Sequence, residues 1–245
     1  MELVTVGTGT VAPAAARTGP CHWVSRGGLR VLLDCGPGAT HRLAQFGLDW
    51  PHVTHVVLSH FHPDHFGELP LLVYALRHCV EPLVILGPPG TVRLVKALAV
   101  GFGDWLLDPG YPLVIMDVRD GEPFPLDGDV SLETCPVPHT AESVALALRA
   151  PEGRLVYTGD TGVSSELARW AQGCDLLLAV TGRKCDGVQR IGSYLVVCFS
   201  RSDMRKRLAN APRSSQSIKS GIKFSIKGSA GEKCAEHNCQ GEKFA

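Results

Sequence analysis

Lysine is nearly missing from residues 1–180, where Lys96 stands alone among 11 basic residues against 19 acidic ones. That stretch is acidic overall, a balance that does not favour binding a polyanion. Long hydrophobic runs are missing too: none approaches the about 18 consecutive apolar residues that span a bilayer. Residues 1–7 enter a strand-like pattern with neither a basic n-region nor an apolar h-region. A soluble, unexported, cytoplasmic protein with no membrane partner is expected. The nine cysteines are odd in number and follow no repeated spacing, which suits free thiols in a reducing compartment better than a disulfide framework. Gly87-Pro-Pro-Gly-Thr lacks the Gly-Lys-Ser/Thr ending that holds nucleotide phosphates, so it reads as a strand-to-helix turn.

What is present divides into two compositions. With 245 residues and 44% hydrophobic content, the chain suffices for one large domain or for one domain plus an appendage. From about Thr181 the balance inverts: residues 181–245 hold 13 basic residues, seven of them lysine, against 5 acidic ones. Serine rises from six in the first 180 residues to nine in the last 65. Such a switch marks a domain boundary, a basic nucleic-acid-binding tail, or a reading-frame slip. The tail's basic residues are spread out, with Tyr194, Phe199, Phe224 and Phe244 as its aromatics, a poor stacking platform for RNA.

Apolar patterning predicts strands at 2–6, 21–25 and 29–34, the latter two joined at Gly27-Gly28. Further strands are expected at 53–58, 83–86, 113–118, 130–135, 143–150, 154–158 and 175–180. Leu71, Leu72, Tyr74 and Ala75 fall at near-helical spacing and predict a helix over 67–78 with Pro70 in its first turn. Other helices are expected at 91–99 and at 164–172, the last capped by Ser164 with Leu167 and Trp170 on one face. Runs of strands with helices interspersed make an α/β layered domain over 1–180. Beyond Thr181 the pattern dissolves. Residues 195–199 read as a strand, but 201–245 shows neither period and is expected to be poorly ordered.

The densest chemical signal is His60, His62, Asp64 and His65, all within six residues, His-Phe-His-Pro-Asp-His, at the end of a predicted strand. Imidazole nitrogens and a carboxylate oxygen are the ligands that Zn²⁺ prefers, whereas three histidines and an aspartate are an odd way to build a polar turn. His139, in Pro136-Val-Pro-His-Thr, and Asp160, in Tyr157-Thr-Gly-Asp-Thr-Gly, also stand at strand ends. Each alone reads equally as a solvated loop histidine or an Asx-turn aspartate; downstream of the histidine loop both are candidate ligands. Asp34 again ends an apolar strand, and a turn-forming role before glycine stays open beside a functional one. His52 and His55 read as packing or surface residues.

Residues 1–180 resemble the metallo-β-lactamase superfamily, and within it the branch that includes ribonuclease Z. The resemblance is carried by Gly7-Thr-Gly-Thr with Pro13 and Arg17, Asp34-Cys-Gly-Pro-Gly, Ser59-His-Phe-His-Pro-Asp-His-Phe-Gly-Glu-Leu-Pro, His139 and Gly159-Asp-Thr, in the family's order over nearly three quarters of the chain. It implies an αββα four-layer sandwich with two zinc ions. His60, His62 and His139 would serve one, Asp64 and His65 the other, with Asp160 as the bridge and Asp64 also the catalytic proton acceptor. Such ions bring the pKa of a coordinated water towards ~7 and offset charge on a phosphoryl or carbonyl oxygen. The family also closes its second site with a late histidine. Past Asp160 this chain has only His237, in Cys-Ala-Glu-His-Asn-Cys, with no strand leading into it. The loss coincides with the seam, so the fold is expected to be incomplete in its C-terminal half and the tail foreign to it, through a frame slip or misassembly. The leading expectation is a zinc-dependent phosphodiesterase acting on a substrate such as an RNA 3′ end. The alternatives are a small-molecule ester, thioester, lactone or cyclic-nucleotide hydrolase, and a catalytically impaired metal-binding protein. The expected partners are the phosphodiester substrate and a second copy of the chain as a homodimer.

Overall fold

Side-chain alternation divides each apolar run of the chain between two cores, and that division sets the architecture. In the computed structural model, residues 1–79 and 81–180 are described, together with the backbone of residues 223–225. In chain order the first strands are β1 (Glu2–Gly7), β2 (Cys21–Arg26), β3 (Leu29–Leu33), β4 (His55–Val57), β5 (Leu83–Gly87) and β6 (Leu113–Asp117). They form one sheet. The next five, β7 (Phe124–Asp127), β8 (Val130–Pro136), β9 (Val144–Ala150), β10 (Gly153–Tyr157) and β11 (Leu176–Leu178), form a second. A last strand, β12 (Lys223–Ser225), joins the first sheet outside β1, antiparallel, with Leu3 opposite Phe224. That strand falls inside the stretch where no periodicity was expected; the other readings beyond Val180, including the strand at 195–199 and the place of His237, lie outside the described residues.

Helices α1 (Ala39–Gln45), α2 (Pro63–Phe66), α3 (Leu69–Ala75) and α4 (Thr91–Phe102) connect strands of the first sheet, and α5 (Ser165–Trp170) precedes β11. In β3, Leu32 faces the helices while Val31 and Leu33 face the other sheet; in β5, Leu83 and Ile85 face the helices while Leu86 faces inward. Strands buried on both faces explain the continuous apolar runs in the sequence. The helix-side core adds Ala39, Leu43, Leu69, Leu72, Val95 and Ala99. Between the sheets, Val31, Leu33 and Val57 meet Leu132, Leu146, Leu148 and Tyr157. On the far face of the second sheet, Leu167 of α5 packs on Cys135 and Ala145. The layers are therefore helix, sheet, sheet, helix, the αββα arrangement expected.

Parallel pairing of β3, β4, β5 and β6 requires crossovers, which the helices supply. Their loops emerge at one edge, where β3, β4 and β5 end in Asp34, Ser59–His60 and the Gly87–Gly90 turn. Local differences from the sequence reading have local causes. The histidine loop closes on itself as α2, one helical turn opened by Pro63. The helix expected at 67–78 is α3 followed by a 3₁₀ turn at Leu76–His78. Two elements carry no sequence signal: α1 starts at a left-handed Gly38 with no side-chain cap of its own, and β7 is a half-exposed edge strand broken by Pro125. Among the described residues no helix is long and apolar enough to cross a membrane.

Candidate metal centre

The two sheets meet at this edge. Ser59, just past β4, accepts a backbone hydrogen bond from Val144 at 3.0 Å, and Gly159, just past β10, adopts a positive φ of 55° where a Cβ would lie 2.9 Å from that of Ser59. Glycine thus lets the tip carrying Asp160 come up against the tip carrying His60. One ligand atom each from His60, His62, His139 and Asp160 lies within 4.8 Å of all the others. The first two come from the first sheet and the others from the second. Among the described residues this is the one such grouping of His, Cys, Asp or Glu.

The three imidazoles stand nearly perpendicular to one another, with ring centroids 4.7 to 4.8 Å apart, so they present edges to a common point. His62 Nδ1 lies 3.1 Å from His60 Nε2 and 2.9 Å from His139 Nε2. That nitrogen carries either one proton or one lone pair, and either can align with only one neighbour. A cation with several lone pairs pointing at it removes the conflict, and tetrahedral Zn–N bonds of about 2.0–2.1 Å set donor separations of roughly 3.3 Å. The donor set therefore fits a borderline-soft divalent metal.

Beneath the histidines lies Asp34, wholly buried and, at φ 60°, the one described non-glycine residue with positive φ. Its Oδ1 accepts from the Ser59 amide at 2.8 Å; its Oδ2 accepts from Ser59 Oγ at 2.9 Å, His65 Nδ1 at 2.7 Å and Tyr157 OH at 2.8 Å. Since Ser59 gives its hydroxyl proton to Asp34, it accepts from His60 Nδ1 at 3.0 Å, which leaves the His60 Nε2 lone pair facing the group. The same carboxylate fixes His65 directly. One buried charge thus orients two imidazoles. Of the two open readings of Asp34, the structure gives it this network as well as the turn.

His65 Nε2 lies 3.4 Å from Asp160 Oδ1 and 4.0 Å from Asp64 Oδ2, so Asp64 and His65 border the four-residue group without joining it. Burial opposes charge on His65, but the carboxylates of Asp34 and Asp160 outweigh it and push its pKa up to about 10. The position attracts cations. Burial, reinforced by His65, lowers His60 to about 4, and burial also lowers His139, so both are neutral donors near pH 7. Burial likewise holds His22 down at about 4, edge-on to the Tyr157 ring at 4.9 Å. His52 is exposed against Asp49, and His55 is buried in β4 beside Thr54, as packing or surface residues. Tyr157 and His22 had no signal of their own in the sequence, whereas Ser59 stood at the head of the histidine-loop motif.

This fold with this donor group at its strand tips defines a hydrolase of the metallo-β-lactamase class. The beta-lactamase superfamily domain profile matches residues 29–193, and the chain belongs to that superfamily. Ribonuclease Z of Mycobacterium bovis is 30% identical over 234 residues, covering 87% of this chain and 82% of that protein. Among solved structures, human tRNase Z, short form, is similar with a TM-score of 0.62 at 19% identity, over 72% of this chain and 76% of that one. Zn²⁺-bound PqqB from Methylobacterium extorquens is similar with a TM-score of 0.60 at 18% identity, over 73% and 72%. The structural likenesses establish the shared fold.

Proposed function

We propose that the chain is a zinc-dependent phosphodiesterase of the ribonuclease Z type, acting on an RNA 3′ end such as that of a transfer RNA precursor. The observation that carries this reading is the convergence of His60, His62, His139 and Asp160, from two sheets, within 4.8 Å. Asp64 and His65, with Asp160 shared, are assigned to a second ion. Zinc held there supplies Lewis acidity, which activates water near neutral pH and offsets charge on a phosphoryl oxygen. The chain's own residues do the positioning: Asp34 and Ser59 fix the imidazole tautomers, and Asp64, partly exposed beside His65, takes the proton released in hydrolysis. Relatedness to ribonuclease Z supports the substrate class.

The acidic balance of residues 1–180 favours a second reading, a small-molecule ester, thioester, lactone or cyclic-nucleotide hydrolase, because polyanion binding draws on Lys and Arg contacts to phosphate. Zinc-loaded protein should hydrolyse bis(p-nitrophenyl) phosphate and cleave a 3′-extended transfer RNA. Cleavage of a thioester or a 2′,3′-cyclic nucleotide with no cut in the RNA transfers the assignment to the second reading. Turnover of none of them sinks both.

A further inference from the structure

We propose that Phe61 and Arg93 form a subsite that selects phosphodiesters carrying a second phosphate, one nucleoside away from the scissile one. The proposal deepens the phosphodiesterase reading above and rests on it. Arg93 is the third residue of α4, exposed, and helical side chains lean towards the N-terminus of their helix. That terminus lies at the edge where β5 ends, beside the donor group. The side chain accordingly reaches back to the Gly87–Gly90 turn: a Cβ built on Gly90 would lie 3.1 Å from Phe61 Cε2 and 3.8 Å from Arg93 Nη2. Ring and guanidinium flank one glycine, and Phe61 stands between His60 and His62 in the chain. The ring is half-buried yet is not among the residues packed on either main core. Its amide donates to the Glu142 carboxylate, on the loop that carries His139, so the Phe61 backbone is tied to the other sheet as well. A large apolar ring placed there offers a face on which a sugar or base can lie.

Basic side chains are scarce in residues 1–180, and most are occupied. Arg26, Arg149 and Arg154 bind carboxylates, Arg30 and Arg42 bind carbonyl oxygens, and Arg77 lies over the Tyr74 ring. Among the described residues Arg93 has no such partner. Asp117, at the same helix start, is spent on the Gly90 and Val92 amides. A guanidinium presents paired N–H donors that match two oxygens of a phosphate. One such cation beside the donor group suits one added phosphate. That second phosphate is what an RNA chain has and a lone ester or cyclic mononucleotide lacks, so the subsite favours the leading reading over its alternative.

The test compares thymidine 5′-(p-nitrophenyl phosphate) with its 3′-phosphorylated form on the zinc-loaded full chain. The added phosphate should raise kcat/KM about tenfold or more, through KM, as a hydrogen bond to a charged group does. Arg93→Gln should bring the ratio of the two substrates close to one. Arg93→Lys should keep part of it, because the charge remains without the planar fork. Lys96→Gln, exposed one turn further along α4, should keep it whole. Calorimetric titration with thymidine 5′-monophosphate and thymidine 3′,5′-bisphosphate reads the same subsite without turnover: the bisphosphate should bind about tenfold tighter, and Arg93→Gln should remove the difference. Equal ratios in the unmodified chain, a ratio unchanged in Arg93→Gln, or its loss in Lys96→Gln overturns the proposal. Turnover without any advantage of the added phosphate removes the subsite alone. An Arg93-dependent advantage in binding with no turnover of either substrate defeats the hydrolytic reading and leaves the subsite standing.

Discussion

At the scale of single residues, His62 has the most to lose, because its Nδ1 faces both other imidazoles of the group. His62→Ala is expected to cut phosphodiester turnover by far more than the 10–100-fold typical of outer partners; steady-state rates at saturating zinc check this, and a smaller loss contradicts the assignment. Tyr157 acts one layer deeper. Its hydroxyl is one of four donors to a fully buried carboxylate, and hydrogen bonds to charged groups contribute about 1.5–3 kcal/mol. Tyr157→Phe should lower the unfolding free energy by that order, read from denaturant curves, while leaving the ring packing of the core intact. The sequence made the outer layer readable and hid the inner one. His60 to His65 lie within a few positions of one another, so their spacing alone is diagnostic. The Tyr157 contact with Asp34 joins residues 123 apart, and the Ser59 contact joins residues 25 apart, so no local pattern contains them.

At the scale of elements, the same division separates two helix starts. Ser164 caps α5 from within its own segment, its Oγ accepting from the Leu167 amide at 3.1 Å, and the sequence shows that cap directly. α4 begins at a left-handed Gly90 with no local side chain. Its cap comes from Asp117 at the end of β6, which accepts from the Gly90 amide at 3.0 Å and the Val92 amide at 2.9 Å. The helix was legible from the Gly87-Pro-Pro-Gly turn that leads into it, but its cap depends on the parallel register of β5 and β6, which composition does not reveal. Asp117→Ala should destabilise the protein by about 0.5–2 kcal/mol, in the range of lost N-caps, and equilibrium urea unfolding measures it. An unchanged midpoint would mean that water replaces the carboxylate at no cost. The edge strand β7 escaped notice for the opposite reason: its pattern is weak because among the described residues it pairs with β8 alone.

At the scale of the molecule, the edge opposite the donor group is closed by charge. Arg26, at the end of β2, binds Glu152 between β9 and β10 at 2.8 Å and Asp129 between β7 and β8 at 2.6 Å, while the Met1 ammonium binds the same Glu152 at 2.8 Å. Burial raises the Glu152 pKa, but the hydrogen bonds from Met1 and Arg26 outweigh it and hold the group at about 2 against an ordinary 4.5. A carboxylate depressed in the folded state stabilises fully above its unfolded pKa and loses that contribution as pH falls through the folded one. The metal-free protein should therefore exceed its Glu152→Gln variant in stability at pH 6, with the gap closing as pH drops from 4.5 towards 2. Paired denaturation curves across that range check it; a gap independent of pH would place the effect elsewhere.

The donors at the near edge belong to separate sheets, His60 and His62 to one, His139 and Asp160 to the other. A metal seated among them would work as a rivet as well as a reagent. Parting of the layers at that rim would strip the ion of half its donors, so its presence would oppose any gaping of the sandwich there.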